Sequence, residues 1–598
     1  MNGSGEERPN RRRAALLCVA CLLVLHAAWL AWSAAWQSPT LNEPGHLASG
    51  LAHWSLGRFE PYAVNPPLVR MVAALPVMAA GYEADWSGLR GRPGERPEFI
   101  LGSRFIEANG PRSQWLFNLA RWACIPFSLL GAWMCFVWGR ALFGNLAGVL
   151  ACGLWCVEPN IIAHGQLITP DVAATSLGLV AMWTFWRWLQ SPGWIRAALM
   201  GAALGLAIIG KFSWLFLIGV WPLLWLLAEW KRPTSWTTGP APRFLQLSAS
   251  FVIALYVINS AYAFDGSFSR LDSFTFASHK VSGLSDPTQL GNRFTGTVLG
   301  SLPVPVPRQF LAGLDLQQRD FEHFPHASYL NGDWRQGGWW YYYLYAAAVK
   351  VPIGLWILAA TAFIAWVCQR RPSTGHESDR MLGVLTLLVP AVALFAIVSS
   401  QTAFNHHFRY VLPCCGPAFI LCASPLAIGG RWLTAFMAAN AAWIVASSAL
   451  AAPFSLAYFN ELAGGMHNGS RHLLHSNIDW GQDLVALNEW IADHADERPV
   501  FLAYNGFYNP AAYGVPAETS PQGPFWGETP RDWSFRPGWY AVSVNYLRAA
   551  AWRLTNPRAY EPLMKETPVA RCGGSIVIYR VDEDLAQRLT QAVIDSRR

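Results

Sequence analysis

Four short polar segments break the apolar runs of this 598-residue chain, and each holds residue types able to do chemistry. The first is Leu41-Asn42-Glu43-Pro44-Gly45-His46. Glu43 and His46 are three apart and share a face on a helix. That spacing suits a joint metal site or a carboxylate that tunes an imidazole. It equally suits a helix start, with Asn42 as cap and Glu43 in the first turn. The second is Thr169-Pro170-Asp171, which also reads as an ordinary cap, first-position proline and dipole-complementing acid. The third is Lys211, within Gly210-Lys211-Phe212-Ser213, where a snorkelling lysine is the plain alternative. The fourth is His406-His407-Phe408-Arg409-Tyr410, where Arg409 and Tyr410 also read as interface anchors. Taken together they offer two carboxylates and two permanent cations. Transfer from a lipid phosphate needs that set: a base for an acceptor hydroxyl and cations for the departing phosphate.

These segments sit between membrane-spanning elements. Apolar residues make up 53% of the chain and charged ones only 14%, against about 25% charged in a soluble domain. The 32 tryptophans suit many membrane–water boundaries. A span needs roughly 20 apolar residues, and such runs fall near 14–35, 116–138, 144–157, 172–190, 195–210, 213–230, 244–262, 342–368, 382–400, 409–428 and 432–452. The first follows Arg11, Arg12 and Arg13 and is too long for a signal-peptide core, so it reads as a retained span after a cytoplasmic tail, 1–13. With that tail inside, Arg140, Arg187, Arg196, Lys231, Arg232, Arg243, Arg370, Arg371, Arg380 and Arg431 also fall inside, as the positive-inside rule demands. The four polar segments then share the outer face. The net charge of +7 is scattered and carries no nucleic-acid signature. Of the cysteines, most lie in apolar runs, and no paired metal-site spacing occurs.

The expected fold is therefore a polytopic α-helical membrane protein of about eleven spans. The transmembrane part runs over 14–452 and includes outer loops 36–115 and 263–341. In the first loop, 45–56 and 67–80 are apolar stretches too short to span, expected to lie along the interface. The remainder, 453–598, has no span; Val500–Ala503, Tyr540–Val544 and Ser575–Tyr579 read as strands of a small outer α/β domain. Gly201 and Gly205 form a small-xxx-small pattern for close helix packing.

At the polar segments the chain resembles the GT-C membrane glycosyltransferases, family 39, the type related to protein O-mannosyltransferases and lipid A aminoarabinose transferases. The matching landmarks are Asn42-Glu43-Pro44-Gly45-His46-Leu47, Asn65-Pro66-Pro67-Leu68, Ala163-His164-Gly165 through Asp171, Gly-Lys-Phe at 210–212 and Arg409-Tyr410-Val411-Leu412-Pro413. Tyr458-Phe459-Asn460-Glu461-Leu462-Ala463-Gly464-Gly465, followed by Ser476 to Asp483, looks like the signature of a bacterial branch.

The resemblance implies the GT-C fold and an inverting sugar transfer. The donor would be a polyprenyl-phosphate-linked sugar, and the acceptor an extracytoplasmic protein, glycan or lipid, at a bacterial inner membrane. It assigns Glu43 and Asp171 to catalysis and Lys211 and Arg409 to the donor phosphate. Asn42, His46, His164, His406 and Tyr410 stand as supporting residues. A divalent metal is an option, with Glu43, His46 and Asp171 as ligands. Asp479, Trp480 and Asp483 read either as the lining of an acceptor cleft or as a helix start with a buried tryptophan. One departure matters: the family's first motif has Asp-Glu where this chain has Asn42-Glu43, and an amide takes no proton at neutral pH. A lipid or solute transporter is the competing class, but it would place its polar groups near the midplane of two related halves. A catalytically inactive binder of lipid-linked sugar is the other, and Asn42 is what favours it.

Overall fold

The computed structural model describes residues 9–596, except 90–93, 232–239, 287, 323–324, 369–374, 507, 524–532, 551–555 and 557. The tail before Pro9 and the basic residues Arg232, Arg370 and Arg371 thus lie outside the described residues.

The chain is a multi-pass helical membrane protein. It begins with α1 (Pro9–Ala35), then α2 (Glu43–Leu56), α3 (Leu68–Ala80) and α4 (Glu98–Asn109). Next come α5 (Ser113–Phe143), α6 (Asn145–Val157), α7 (Pro159–Gly165) and α8 (Pro170–Gln190), followed by α9 (Trp194–Gly210), α10 (Leu217–Lys231) and α11 (Pro240–Ala261). Later helices include Tyr342–Lys350, Ile353–Cys368, Gly375–Ser400 and Arg431–Ala451. Among the described residues seven helices are long and apolar enough to cross a membrane, or up to nine if each of two bent pairs is one span.

The bent pairs have identifiable causes. The expected span 342–368 is two helices meeting at 111°, because Pro352 follows Val351, and a residue before proline is pushed out of the helical region. Likewise α6 and α7 meet at 61°: Glu158 is extended, caps α7 through its carboxylate at Ile161 N (2.8 Å), and is followed by Pro159. The stretch 409–428 is also not one helix but a 3₁₀ segment, Phe408–Cys414, running into Cys415–Cys422.

Gly201 and Gly205 bring α9 against α11. A Cβ at Gly201 would lie 2.4 Å from Ser250 O, and one at Gly205 would lie 2.6 Å from Val257 Cβ. Only the missing side chains permit that approach.

In α2 every residue from Glu43 to His53 is buried, because α3 and α4 pack on either side of it. Beyond 453 the chain forms a five-stranded sheet in the order β4-β3-β5-β7-β6 once the short hairpin β1 (Ser328–Leu330) and β2 (Asp333–Arg335) is counted. Its strands are β3 (Val500–Ala503), β4 (Glu518–Thr519), β5 (Gly538–Ser543), β6 (Ala570–Cys572) and β7 (Ile576–Val581). β3 pairs in parallel with β4 and β5, while β7 runs antiparallel to β5 and β6. Leu502, Ala541, Ile576 and Ile578 of the sheet share one hydrophobic core with Leu47 and Leu51 of α2, Val69 of α3 and Leu101 of α4. The helical first loop and the sheet are therefore packed as one layer.

Candidate active site

Where the ends of α8 and α9 meet the Phe408–Cys414 segment, they enclose a cavity of about 560 Å³ with the first loop and the 308–326 region. Asp171 reaches it from the first turn of α8, which opens with Pro170 after extended Thr169, though Thr169 makes no side-chain cap bond. Lys211 follows α9 in extended backbone, so its side chain leaves the helix direction and turns inward. Its Nζ donates to Asp171 Oδ1 at 2.6 Å and sits 4.9 Å from the centre of the Tyr410 ring. Lys211 is only 7% exposed, so it is not a snorkelling residue. Arg409 Nε approaches Asp171 Oδ2 at 3.6 Å. The Arg409 guanidinium also lies 3.9 Å over the Trp480 ring, and its buried Nη1 has no hydrogen-bond partner among the described residues. One carboxylate thus faces two permanent cations, and the patch keeps an excess of positive charge with a free donor. That is the electrostatic form of a phosphate cradle.

Glu43 is placed elsewhere. Its side chain is fully buried and does not line the cavity. Arg121, inside α5, donates from Nε to Oε1 at 2.8 Å and from Nη2 to Oε2 at 2.7 Å. Thr40 N and Ile168 N donate to the same carboxylate at 2.7 and 3.0 Å. Arg121 also donates to the carbonyls of Ala34, Gln37 and Ser38. This pair fastens the end of α1, the start of α2, α5 and the 168 loop to one another. The expected approach of Glu43 to Asp171, Lys211 and Arg409 is thus not found: its acid is consumed by a structural pair. Nor does Asn42 cap α2, because it is helical with no side-chain cap bond; it lines the cavity instead.

His46, Tyr410, Asp479 and Trp480 also line the cavity. His46 packs at 4.0 Å between ring centres on Tyr62, and burial and Arg70 hold its pKa well below the usual imidazole value. His164 and His406 do not line it: His164 faces Trp480 at 6.4 Å, and His406 faces His475 at 4.6 Å. Asp483 also lies off the cavity. It accepts from Gly574 N, Ser575 N and Ser575 Oγ at 2.7–2.9 Å, pinning the β6–β7 turn to the 479–483 loop. Among the described residues no three His, Cys, Asp or Glu gather in a way that could hold a metal ion. Glu43, His46 and Asp171 in particular are not assembled, since both oxygens of Glu43 face Arg121.

Sequence reasoning missed Arg121, although a permanent charge within an apolar run was a usable signal. It also missed Arg96 and Asp320, a cavity-lining pair at 3.1 Å, and the cavity-lining His326 and His475, while His407 stood in the fourth segment without a role. Arg96 comes from an irregular segment before α4, while Asp320 lies on the amphipathic helix Arg308–Glu322, inside a stretch expected to be outer loop.

Residues 116–259, which include α8, Asp171 and Lys211, match the family model described as dolichyl-phosphate-mannose-protein mannosyltransferase. The chain is similar to GT-C glycosyltransferases of the family 39 type. Among curated proteins no sequence match is found. Of solved structures, ArnT from Cupriavidus metallidurans bound to undecaprenyl phosphate aligns at 14% identity and TM-score 0.44, over 95% of this chain and 98% of that one. The S. cerevisiae protein O-mannosyltransferase Pmt1–Pmt2 complex bound to the sugar donor aligns at 18% identity and TM-score 0.33, over 42% and 33%. Arabinosyltransferase EmbB from Mycobacterium smegmatis aligns at 11% identity and TM-score 0.35, over 71% and 31%.

Proposed function

We propose that this chain is a membrane glycosyltransferase that moves a sugar from a polyprenyl-phosphate donor to an acceptor reaching the cavity from the outer side of a bacterial inner membrane. The single observation that carries this reading is the Lys211–Asp171–Arg409 cluster lining the cavity, with Arg409 Nη1 buried and unpartnered among the described residues. The family match of the segment that holds Asp171 and Lys211 supports it.

In this reading Lys211 and Arg409 bind the donor phosphate and hold the charge that develops on it as the bond to the anomeric carbon breaks. Asp171 keeps the two cations from repelling each other while the site is empty and orients both. Trp480 fixes the plane of the Arg409 guanidinium by stacking beneath it. Attack from the face opposite the phosphate inverts the anomeric centre. Glu43 serves the site by fastening α2 and α5, not by touching substrate. Of the candidate metal ligands Glu43, His46 and Asp171, Glu43 is engaged by Arg121, so that trio does not fit a divalent ion, and no step runs through one.

Binding of a radiolabelled polyprenyl phosphate to the purified protein tests the cradle. Lys211→Met should weaken binding by at least about tenfold, since a charge-assisted contact to phosphate is worth about 1.5–3 kcal/mol. Equal binding by wild type and Lys211→Met would remove the basis of the reading.

A further inference from the structure

If the chain is such a transferase, some group must take the acceptor's proton, and the residue expected to do so is unavailable. Three carboxylates line the cavity among the described residues: Asp171, Asp320 and Asp479. Asp171 is held by Lys211 at 2.6 Å and faces Arg409 at 3.6 Å, so its charge is already neutralised. Asp320 accepts from Arg96 Nη1 at 3.1 Å. Asp479 alone of the three has no cation within ion-pair distance among the described residues. We propose that Asp479 is the base that accepts the proton of the acceptor hydroxyl, a task the resemblance gives to the first outer loop.

The geometry around Asp479 is that of a held, uncompensated carboxylate. Its Oδ1 accepts from Gly481 N at 2.9 Å, and its Oδ2 accepts from Ser543 Oγ and, at 3.4 Å, from Asn545 Nδ2, leaving acceptor capacity on Oδ1. Its backbone is fixed as well: Asp479 N donates to His475 O at 2.9 Å, and Asp479 O accepts from Asn505 and Asn545. The 479–483 loop cannot drift from the cavity. Leu41 N and Ser38 N donate to its carbonyls at Trp480 and Gln482, and Gly481 holds the left-handed turn (φ +88°) that lets the chain reverse there. Asp479 therefore sits one residue from the tryptophan that carries Arg409, which places base and phosphate cradle on neighbouring walls of one cavity.

Burial raises the Asp479 carboxyl to about 6. A base near the working pH is the efficient one. The titratable groups that feel its charge are Asp483, Tyr504 and Tyr508, and the hydroxyls of Ser543 and Ser575 favour its ionised form. His46, His326, His407 and His475 also line the cavity; burial lowers each, His475 to about 3. In the transfer, the acceptor oxygen bonds to the anomeric carbon as the carbon–phosphate-oxygen bond breaks. The hydroxyl proton passes to Asp479, and the polyprenyl phosphate leaves with the bonding pair, held by Lys211 and Arg409.

The test is sugar transfer by purified wild type, Asp479→Asn and Ser543→Ala across pH 4.5–8.5, alongside binding of radiolabelled polyprenyl phosphate. Wild-type transfer should fall as pH drops through about 6, because the protonated acid accepts nothing. Asp479→Asn should lose about 10²–10⁴ in rate and keep the wild-type affinity for the lipid phosphate. Ser543→Ala removes a donor to the charged form, so its acid limb should move up by about one pH unit. Asp479→Asn with a wild-type rate, or with donor binding lost in step with transfer, would overturn the assignment. Wild type that turns over no donor overturns the transferase reading itself, and that outcome is separate from the first two.

Discussion

Residue identity at positions 42 and 43 decides how this site is built. On spacing, Glu43 and His46 suggest a shared site. Spacing along one helix cannot reveal a partner 78 positions away, and Arg121 is that partner. A buried ion pair broken on one side leaves an uncompensated charge, at a cost of about 3–5 kcal/mol. Glu43→Gln should therefore appear first as lost stability: a lower thermal midpoint in detergent and a smaller folded fraction. Replacing both partners by apolar residues of similar volume should recover much of that loss, since neither charge is then stranded. The protein that does fold as Glu43→Gln should keep the wild-type pH profile; a vanished acid limb would return the base to Glu43. Asp171, Lys211 and Arg409 were legible because each is a charge at the end of an apolar run, where burial forces it to find a partner. Asp479 was legible only as a polar residue in a motif. Its isolation from cations depends on the fold of the sheet behind it.

Helix existence was readable from apolar run length, and helix breaks were readable only in part. Pro352 was visible within the run 342–368, yet a proline inside an apolar run is compatible with either a kink or a break; Pro159 lies just past the run 144–157, which ends where α6 does. The 111° turn at Val351–Pro352 and the 61° turn at Glu158 are set by what the freed ends bond to. Asn460 Nδ2, for instance, donates to the carbonyls of Ala348 and Val351 at the first break. Small-residue spacing was a sounder guide, because close helix approach leaves no freedom of interpretation once the Cβ is absent. Gly201→Leu should push α9 from α11, at about 1–3 kcal/mol for overpacking. Reduced thermal stability in detergent would register it; since α9 leads directly into Lys211, weaker lipid-phosphate binding should accompany the loss. An unchanged melting profile would mean that the two helices do not meet there.

Across the whole molecule, the sheet after residue 453 is part of the site's construction. Strands β3, β5 and β7 were legible as short β-rich runs, while β4 and β6, two and three residues long, carry too little pattern to be seen. What no linear pattern shows is that the sheet and α2–α4 close one core, so that the 479–483 loop is held against residues 38–41. One side of the cavity consequently comes from the membrane helices, with Asp171, Lys211 and Arg409, and the other from the loop that the sheet supports, with Asp479 and Trp480. The central claim is that this cavity transfers a sugar from a lipid phosphate. The most direct measurement is sugar release from a panel of radiolabelled polyprenyl-phosphate donors by purified wild type and Arg409→Met. The account predicts turnover of at least one donor by wild type and a loss of about tenfold or more in Arg409→Met, since its charge-assisted contact to phosphate is worth about 1.5–3 kcal/mol. No turnover of any donor by folded wild type, or equal turnover by Arg409→Met, would contradict it.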